Sequence, residues 1–323
     1  MFDSFKFIDL FAGVGGFHFA LKDKAKCVFA AEWDSKARQT YLANHGKDLE
    51  ANNATFASDI TEVDYATIPD HDILCAGFPC QPFSLAGKRE GFKHDTQGTL
   101  FFNIIEIIEA KRPSAIFLEN VKNLRSHDKG NTFKVVIKAL EEQGYLVHHN
   151  VLNALTHGNL PQNRERIFIV AFNSEAAFSR FQFPDAIPLT STIKDCLQLE
   201  GVDDYFYQTN MDSESVKRMH RDIVKPWTMY QYRRHYVREN MKNVCPTLTA
   251  NMGTGGHNVP LLMDDKGIRK LTPRECFNFQ GFPEDLIIPD IANGHQYKQA
   301  GNSVPLPVVS RIADNIIKAL KQE

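Results

Sequence analysis

The stretch FKFIDLFAGVGGFHFAL, residues 5–21, contains the unit from which the fold is built: a strand, a glycine turn and a helix. Residues 5–11 are predicted to form the strand, and the apolar spacing over residues 17–21 predicts the helix. The glycines between them, Gly13, Gly15 and Gly16, relax the turn and let the backbone approach a ligand. Taken alone, the turn is equally consistent with a tight strand–helix joint that binds nothing.

The alternation of strand and helix continues to about residue 173. Further strands are predicted at residues 27–31, 55–57, 73–76, 115–118, 146–152 and 167–171, and helices at residues 35–44, 100–111 and 132–143. Elements that alternate at these lengths are typical of a mostly parallel sheet with helices on both faces. We therefore predict an α/β fold for this part of the chain.

The pattern changes after this point. Residues 174–270 contain short apolar runs, five prolines and the glycine-rich run 253–256, and helical spacing returns only at residues 304–320. We expect this last helix to pack back on the first domain. We predict a first domain at 1–185 plus 290–323, and a smaller, irregular domain with its hinge at 186–289.

The composition limits the classes of protein. The chain has 323 residues, of which 43% are hydrophobic and 24% charged, and its net charge is −2, which argues against a molecule coated in positive charge. No run approaches 18 apolar residues, so no membrane span is expected. The six cysteines form no CxxC pair, so zinc and thioredoxin-like sites have no support and no metal site is predicted.

One segment differs from this average. Residues 211–260 contain eight lysines and arginines against four acidic residues, interleaved with Trp227, Tyr230, Tyr232 and Tyr236. Local positive charge with aromatic side chains is typical of a surface that binds nucleic acid. The alternative is a solvated charged face, although such a face seldom carries so many aromatic residues.

The glycine turn favours a nucleoside ligand. The dinucleotide pattern G-x-G-x-x-G fails because His18 stands where its third glycine belongs. Glu32 follows the second predicted strand, where a carboxylate can hold a ribose, and Asp59-Ile60 follow the third, where they could hold an adenine. These features fit S-adenosylmethionine better than a nicotinamide dinucleotide.

The segment GFPCQPFS, residues 77–84, follows a predicted buried strand and presents the thiol of Cys80 on a backbone stiffened by Pro79 and Pro82. A polar, cationic loop follows at residues 85–98. A fixed thiol beside such a loop indicates covalent catalysis on an anionic substrate. The segment alone is equally consistent with a buried structural thiol.

Two further segments place charged side chains next to strands. Glu119 follows the strand at 115–118, where its carboxylate could act on a base ring or merely cap a helix. Arg164 and Arg166 precede the strand at 167–171 and, at this spacing on an extended chain, would point the same way. Such a pair suits two phosphate or carboxylate contacts, or is an ordinary surface pair.

Together these segments resemble the DNA (cytosine-5) methyltransferases over nearly the whole chain. The matching segments, in the family order, are FIDLFAG (7–13), GFPCQ (77–81), ENV (119–121), QNRER (162–166), REC with GFP (274–276, 281–283) and GNSVP (301–305). The length resembles that of a compact bacterial restriction-modification enzyme. The resemblance implies a Rossmann-like, S-adenosylmethionine-dependent methyltransferase sheet with a smaller, irregular target-recognition domain.

The resemblance also implies residue roles. Cys80 would be the nucleophile and Glu119 the acid, with Arg164 and Arg166 supporting the base pocket. Phe11 would stack on the cofactor adenine and Glu32 would bind its ribose. The full set implied for S-adenosylmethionine is Phe11, Ala12, Gly13, Gly15, Gly16, Glu32, Trp33, Asp59, Ile60, Pro79, Leu100 and Asn302.

Duplex DNA is the implied partner. The residues expected to contact it are Ser84, Lys88, Arg89, Arg233, Arg234, Arg238 and Thr247, and the candidates for reading bases are Arg233, Arg234, Arg238, Asn251 and His257. We expect a monomeric, cytoplasmic, prokaryotic protein that associates with the nucleoid through DNA and with no membrane. A cognate restriction endonuclease would act on the same site without a stable complex.

Three alternatives remain. The first is a tRNA methyltransferase of the same fold, although its Cys-Phe-Thr patch is not found and Cys245-Pro246-Thr247 is the nearest string. The second is a non-catalytic nucleic-acid-binding protein, which the intact Cys80 and Glu119 disfavour. The third is a nicotinamide oxidoreductase, which the failed glycine pattern disfavours.

Overall fold

The structure, a computed structural model, describes residues 5–79, 100–254 and 258–321. It divides into two compact units. The first unit comprises Met1–Leu152, Glu165–Asp185 and Val309–Glu323, and the second comprises Asn153–Arg164 and Ala186–Val308. Across the described ranges, no helix is both long enough and apolar enough to cross a bilayer.

The first unit is built on a mixed sheet of seven described strands. They are β1 (Phe5–Leu10), β2 (Ala25–Ala31), β3 (Thr55–Ala57), β4 (Ile73–Gly77), β5 (Ala115–Val121), β6 (Leu146–Asn153) and β7 (Glu165–Phe172). Their order in the sheet is β3-β2-β1-β4-β5-β7-β6. The first five are joined by parallel pairs, as predicted, whereas β7 runs antiparallel to β5.

The described helices are α1 (Gly16–Leu21), α2 (Ser35–Ala51), α3 (Leu100–Lys111), α4 (Asn131–Glu142), α5 (Ala154–His157), α6 (Glu175–Arg180), α7 (Glu214–Asp222), α8 (Pro273–Phe279), α9 (Asn293–Asn302) and α10 (Leu306–Leu320). Helix α2 continues seven residues past its predicted end at residue 44. The predicted last helix begins at Leu306 rather than at residue 304, directly after Pro305, because a proline limits the conformation of the residue before it.

Helices cover both faces of the sheet, as the alternation of elements predicts. On one face, Ile116 and Leu118 of β5 belong to a large apolar core with Ile104 of α3 and Leu140 of α4. On the other face, the intervening Phe117 packs against Phe17 of α1 with ring centroids 5.0 Å apart. The central strands are buried on both faces, which explains why they read as continuous apolar runs in the sequence.

The second unit contains helices α5, α7, α8 and α9 and one small antiparallel sheet. Its strands are β8 (Tyr230–Arg233), β9 (Tyr236–Glu239), β10 (Leu261–Met263) and β11 (Ile268–Lys270), in the order β11-β10-β8-β9. A small apolar core beneath this sheet includes Met219, Ile223 and Tyr230. These strands are only three or four residues long, too short for the periodicity of the sequence to predict them.

The compact units differ from the predicted domain boundaries in two segments. Residues 153–164 group with the second unit, since Asn163 N donates to Cys245 O at 2.8 Å and Cys245 N donates to Pro161 O at 2.7 Å. Residues 290–308 also group with it, because Gly301 of α9 lies so close to Thr249 that a Cβ there would come within 2.1 Å of the backbone. Both differences arise from contacts between segments distant in the sequence.

Candidate functional site

The carboxyl edge of the first unit's sheet brings the predicted cofactor residues together. Adjacent strands end in register, with Leu10 of β1 opposite Ala31 of β2, and Ala31 opposite Ala57 of β3. Phe11, Glu32 and Asp59, which come directly or shortly after these residues, therefore lie along one edge. This is the edge at which open α/β sheets bind their ligands.

The turn after β1 holds its backbone in an unusual conformation. Phe11 has φ 54°, Gly13 has φ 57° and Gly15 has φ 88°. Glycine adopts these angles freely, but a phenylalanine at positive φ is strained and is held there by its surroundings. Such strain is commonly found at ligand sites, and here it coincides with the residue expected to stack on an adenine.

Glu32 fastens this turn to the second strand. Its Oε2 accepts a hydrogen bond from Gly13 N at 2.7 Å, and its Oε1 accepts one from Asp34 N at 2.7 Å. Burial raises the pKa of Glu32, while these two backbone hydrogen bonds oppose the shift. The carboxylate is thus fixed in place, and each oxygen keeps a second lone pair that a ribose hydroxyl could use.

The remaining residues of this edge differ in exposure. The Trp33 side chain is 78% exposed, so a ligand could stack on it. Asp59 Oδ1 accepts hydrogen bonds from the Thr61 N–H and hydroxyl at 2.9 and 2.7 Å, which hold the pKa of Asp59 below its usual value. Ile60 is buried in the main core, and its contact with an adenine stays a prediction.

Two histidines beneath the turn were not predicted as site residues. The His45 ring lies so close to Gly15 that a Cβ on Gly15 would come within 2.3 Å of Nε2. His18 stacks on His45 with centroids 4.0 Å apart and planes inclined by 11°, and its Nδ1 lies 2.7 Å from the Tyr41 hydroxyl. Burial lowers the pKa of His18 to about 3 and that of His45 to about 2. In the sequence, the only sign of this pair is that His18 stands at the third glycine position of the dinucleotide pattern.

His18, His45 and Asp48 have potential metal-ligand atoms within 4.8 Å of one another. Their arrangement does not suit a metal, because the nitrogen lone pairs of two face-to-face rings lie in parallel planes. A metal site requires lone pairs that converge on one point about 2 Å from each nitrogen. The cluster is better described as support for the turn that contains Gly15.

Several predicted residues lie outside the described ranges: Cys80, Ser84, Lys88, Arg89 and the loop 85–98, and also His257. Pro79 and Leu100 flank the first of these segments, Pro79 exposed and Leu100 at the start of α3. The chain entering the segment is fixed to β5, since Asn120 Nδ2 donates to Phe78 O at 2.8 Å. Asn120, whose place in the ENV motif predicted no role for it, therefore anchors the backbone two residues before Cys80.

Glu119 lies at the carboxyl end of β5, opposite Gly77 of β4. Its Oε1 is 2.9 Å from Arg166 Nε, and each side chain is only 10% exposed. Its Oε2 would lie 3.8 Å from a Cβ built on Gly77. Burial lowers the pKa of Arg166, while the Glu119 carboxylate raises it. The structure thus brings together two of the four predicted catalytic residues, Glu119 and Arg166. Glu119 lies opposite Gly77, which is three residues before Cys80 in the sequence.

Arg164 does not join them, contrary to the expectation of paired contacts with Arg166. It lies in the second unit, where its guanidinium donates to Leu248 O at 2.6 Å, Gly301 O at 3.0 Å and Ser303 O at 2.5 Å. The spacing i, i+2 aligns two side chains only if both residues are in the strand, and β7 begins at Glu165. The structure thus places Arg164, which is 1% exposed, on backbone carbonyls, and does not point it the same way as Arg166. Its support of a base pocket stays a prediction.

The second unit contains a polar cleft of about 770 Å³. Arg233, Arg238, Thr247 and Asn251 line it, together with residues that were not predicted: Asn163, Gln231, Glu239, Asn240, Met241, Val244, Pro246, Thr249 and Asn258. Thr247 Oγ1 donates to Asn163 O at 2.6 Å. Arg234 is not among the lining residues, and Asn302 is an exposed residue at the end of α9.

The comparisons with known proteins agree with this organisation. The sequence model of the family described as C-5 cytosine-specific DNA methylase matches residues 5–318. The type II methyltransferase M.Bsp6I of Bacillus sp. (strain RFL6) is 52% identical over 96% of this chain and 98% of its own length. The type II methyltransferase M.MspI of Moraxella sp is 41% identical over 98% of this chain and 71% of its own length.

Solved structures share the fold. A mutant DNMT2 of Spodoptera frugiperda matches with a TM-score of 0.73, at 19% identity, over 97% of this chain and 99% of that chain. At this identity, the likeness establishes the fold and carries no information about the acceptor.

Proposed function

The chain is a DNA cytosine-5 methyltransferase of the C-5 cytosine-specific DNA methylase family, and we propose that it modifies a cytosine flipped out of duplex DNA through a covalent intermediate on Cys80. Glu119 is the proposed acid, and Arg166 holds it. The observation that carries this assignment is the buried Glu119–Arg166 pair beside the end of β4, which leads directly to Cys80.

The other cysteines support Cys80 as the nucleophile. The five in the described part of the chain, Cys27, Cys75, Cys196, Cys245 and Cys276, are all buried. Burial raises the pKa of each thiol, that of Cys196 to about 12. Since the thiolate is the reactive form, none of these five is suited to attack a base at neutral pH.

The proposed chemistry activates a ring carbon that is otherwise a poor nucleophile. The Cys80 thiolate adds to carbon-6, and Glu119 stabilises the charge that develops at ring nitrogen-3. Carbon-5 then attacks the methyl donor. Loss of the carbon-5 proton restores the double bond and expels the thiolate. A stacked base is out of reach, so the cytosine must leave the helix at a cost of a few kcal/mol.

We further propose S-adenosylmethionine as the methyl donor, held at the carboxyl edge of β1–β3. S-adenosylmethionine, when bound, supplies an electrophilic methyl group. The edge fits such a ligand, because a Cβ on Gly13 would meet nothing within 4 Å and the Glu32 carboxylate is fixed with lone pairs to spare. Phe11 and the exposed Trp33 ring are the proposed adenine contacts, and Glu32 binds the ribose.

The biological setting follows from the relatives. Because M.Bsp6I and M.MspI are type II methyltransferases of bacteria, we propose that this protein protects cytoplasmic DNA against an endonuclease that acts on the same sequence. It would work as a monomer without a stable endonuclease complex. We also propose that the first unit performs catalysis and the second recognises the target.

The test is methylation of unmethylated plasmid DNA with S-adenosylmethionine, followed by sequencing that reports 5-methylcytosine. We expect methylation at one short recurring sequence and none with Cys80→Ala. Cys196→Ala is the matched control, because it removes a buried thiol outside the proposed site and should leave turnover intact. Turnover by Cys80→Ala would overturn the covalent mechanism, and methylation of tRNA instead of DNA would overturn the acceptor.

A further inference from the structure

The β8–β9 hairpin of the second unit has one apolar face and one polar face. Tyr230, Tyr232 and Val237 pack against the small apolar core. Because side chains alternate along a strand, Gln231 and Arg233 of β8 and Arg238 of β9 project from the opposite face. All three line the polar cleft, so the hairpin presents two guanidinium groups and one amide to it.

Gln231 organises both arginines. Its Oε1 accepts a hydrogen bond from Arg233 Nη2 at 3.2 Å and a short one from Arg238 Nη2. The strand register places Gln231 directly opposite Arg238, and Arg238 Nη2 also lies 3.3 Å from Asn240 Oδ1. One amide oxygen thus holds two guanidinium groups side by side. An arginine has five N–H donors, so Arg238, which uses one nitrogen for these bonds, retains donors for a base edge.

Ion pairing concentrates the local positive charge on this hairpin. Three of the four acidic residues in the segment 211–260 pair with lysines or arginines: Glu214 with Lys217 at 2.7 Å, Asp222 with Arg221 at 2.7 Å and Glu239 with Lys225 at 2.9 Å. Glu239 lines the cleft, but its carboxylate is engaged by Lys225. Arg233 and Arg238 therefore dominate the charge that the hairpin presents to the cleft.

We propose that Arg233 and Arg238, positioned by Gln231, recognise guanine in the DNA target. Guanine presents two acceptors, O6 and N7, in the major groove, and arginine binds both at once. The methylated sequence should then contain an invariant guanine besides the one paired with the target cytosine. This inference rests on the proposed function, since it assigns the target chemistry of the same enzyme.

Arg234 provides a matched control within the hairpin. It is exposed in the turn between β8 and β9, next to Arg233 in the chain, and it does not line the cleft. Arg234→Ala removes the same charge as Arg233→Ala or Arg238→Ala. A purely electrostatic role would make the three variants equivalent, whereas guanine recognition separates them.

The experiment measures the methylated motif on a library of DNA duplexes with randomised sequence. We expect Arg238→Ala, and also Arg238→Lys, to lose discrimination at one guanine by roughly 5- to 150-fold, since lysine cannot bind both acceptors in a fixed fork. Arg234→Ala should weaken binding uniformly, reduce the salt dependence slightly and leave the motif unchanged.

Substitutions of Gln231 test whether it positions the two arginines, separately from any effect on the stability of the fold. Gln231→Ala should relax the same guanine position as Arg238→Ala, whereas Gln231→Glu keeps an acceptor oxygen and should keep the motif. Thermal unfolding and S-adenosylmethionine binding verify that each variant is folded. If Arg238→Ala does not fold, Arg238→Lys provides the test in its place.

The outcomes separate this inference from the proposed function. A wild-type motif whose sole guanine pairs with the target cytosine would overturn the guanine assignment, as would an unchanged motif in both the Arg233 and the Arg238 variants. Either result leaves the methyltransferase activity standing. A wild-type protein that methylates no DNA would overturn the proposed function and the assignment with it.

Discussion

The sheet edge of the first unit and the hairpin face of the second unit hold their polar groups in opposite ways. At the edge, Glu32 is bound by two backbone N–H groups and Glu119 by a buried arginine. On the hairpin, Arg233 and Arg238 are exposed and are bound through another side chain.

The two arrangements meet the different requirements of catalysis and of DNA recognition. Chemistry needs an atom fixed within a fraction of an ångström, which burial and backbone hydrogen bonds provide. Recognition of DNA needs donors that can exchange a partner side chain for a base edge. Substitutions at the edge should therefore change the rate on every DNA sequence, and substitutions on the hairpin should change which sequence is chosen.

The largest effect is expected at the edge. Glu119→Gln keeps the size of the side chain but cannot supply the acid, so turnover should fall by roughly 10²- to 10⁴-fold while the methylated motif stays the same. Steady-state methyl transfer and motif sequencing measure both quantities.

Glu165→Gln is the matched control for that variant. Glu165 lies at the start of β7 and pairs with Lys122 at 2.8 Å, with both side chains about half exposed. It should retain wild-type turnover. Equal losses in the two variants, or none in either, would contradict the role of Glu119.

Arg164 tests whether burial, and not location in one unit or the other, decides the effect of a substitution. It is buried like the groups at the carboxyl edge, but it lies in the second unit. Arg164→Met leaves three carbonyls without their donor at about 1–3 kcal/mol each, so we expect at least about 3 kcal/mol less free energy of unfolding. Denaturant unfolding measures the loss. Arg234→Met, an exposed arginine of the same unit, should change stability by no more than about 0.5 kcal/mol.

A smaller effect is expected from Gly15→Ala. A side chain at φ 88° costs roughly 1–2 kcal/mol, and the new Cβ would lie 2.3 Å from His45 Nε2. Both the free energy of unfolding and S-adenosylmethionine affinity should fall. If the contact with His45 is the cause, Gly15→Ala with His45→Ala should lose less stability than the sum of the two single variants.

The last effect is a dependence of stability on pH, which is absent at neutral pH and grows only as the solution is acidified. The folded pKa values of about 3 for His18 and about 2 for His45 lie below the ordinary 6.5, so their contribution is complete above pH 6.5 and declines as the pH falls below it. Each histidine contributes at most about 1.4 kcal/mol per pH unit.

The measurement is the urea midpoint between pH 7.5 and 5 for wild type and His45→Gln. Comparing the two proteins removes the effect of Asp9, whose pKa is raised by burial and which therefore titrates with the opposite slope. His45→Gln should show a shallower acid loss. An identical slope would mean that folding does not lower the pKa of His45.

Much of the first unit could be predicted from local patterns. The apolar runs of the central strands and the residues that follow them, Phe11, Glu32 and Asp59, lie where the sequence indicates. The reason is geometric: parallel strands linked by helices end at the same edge, so residues after successive strands meet there without further information.

The details that define the chemistry and the proposed specificity depend on tertiary structure. The antiparallel pairing of β7 with β5 brings Arg166 to Glu119. Arg164 lies just before β7, outside the strand, and its side chain donates to a backbone carbonyl of the second unit. The register of β8 with β9 places Gln231 opposite Arg238. Strand direction and register are set by pairing between segments distant in the chain, and a one-residue shift would send these side chains to the other face.

The sequence by itself therefore determined the fold class, the family and the catalytic and cofactor candidates, because these depend on local runs and on motifs in a fixed order. The tertiary structure decided which candidates meet, which backbone carbonyls Arg164 binds, and which side chains the hairpin presents. Those contacts join residues far apart in the chain, so their partners become visible only when the backbone is folded.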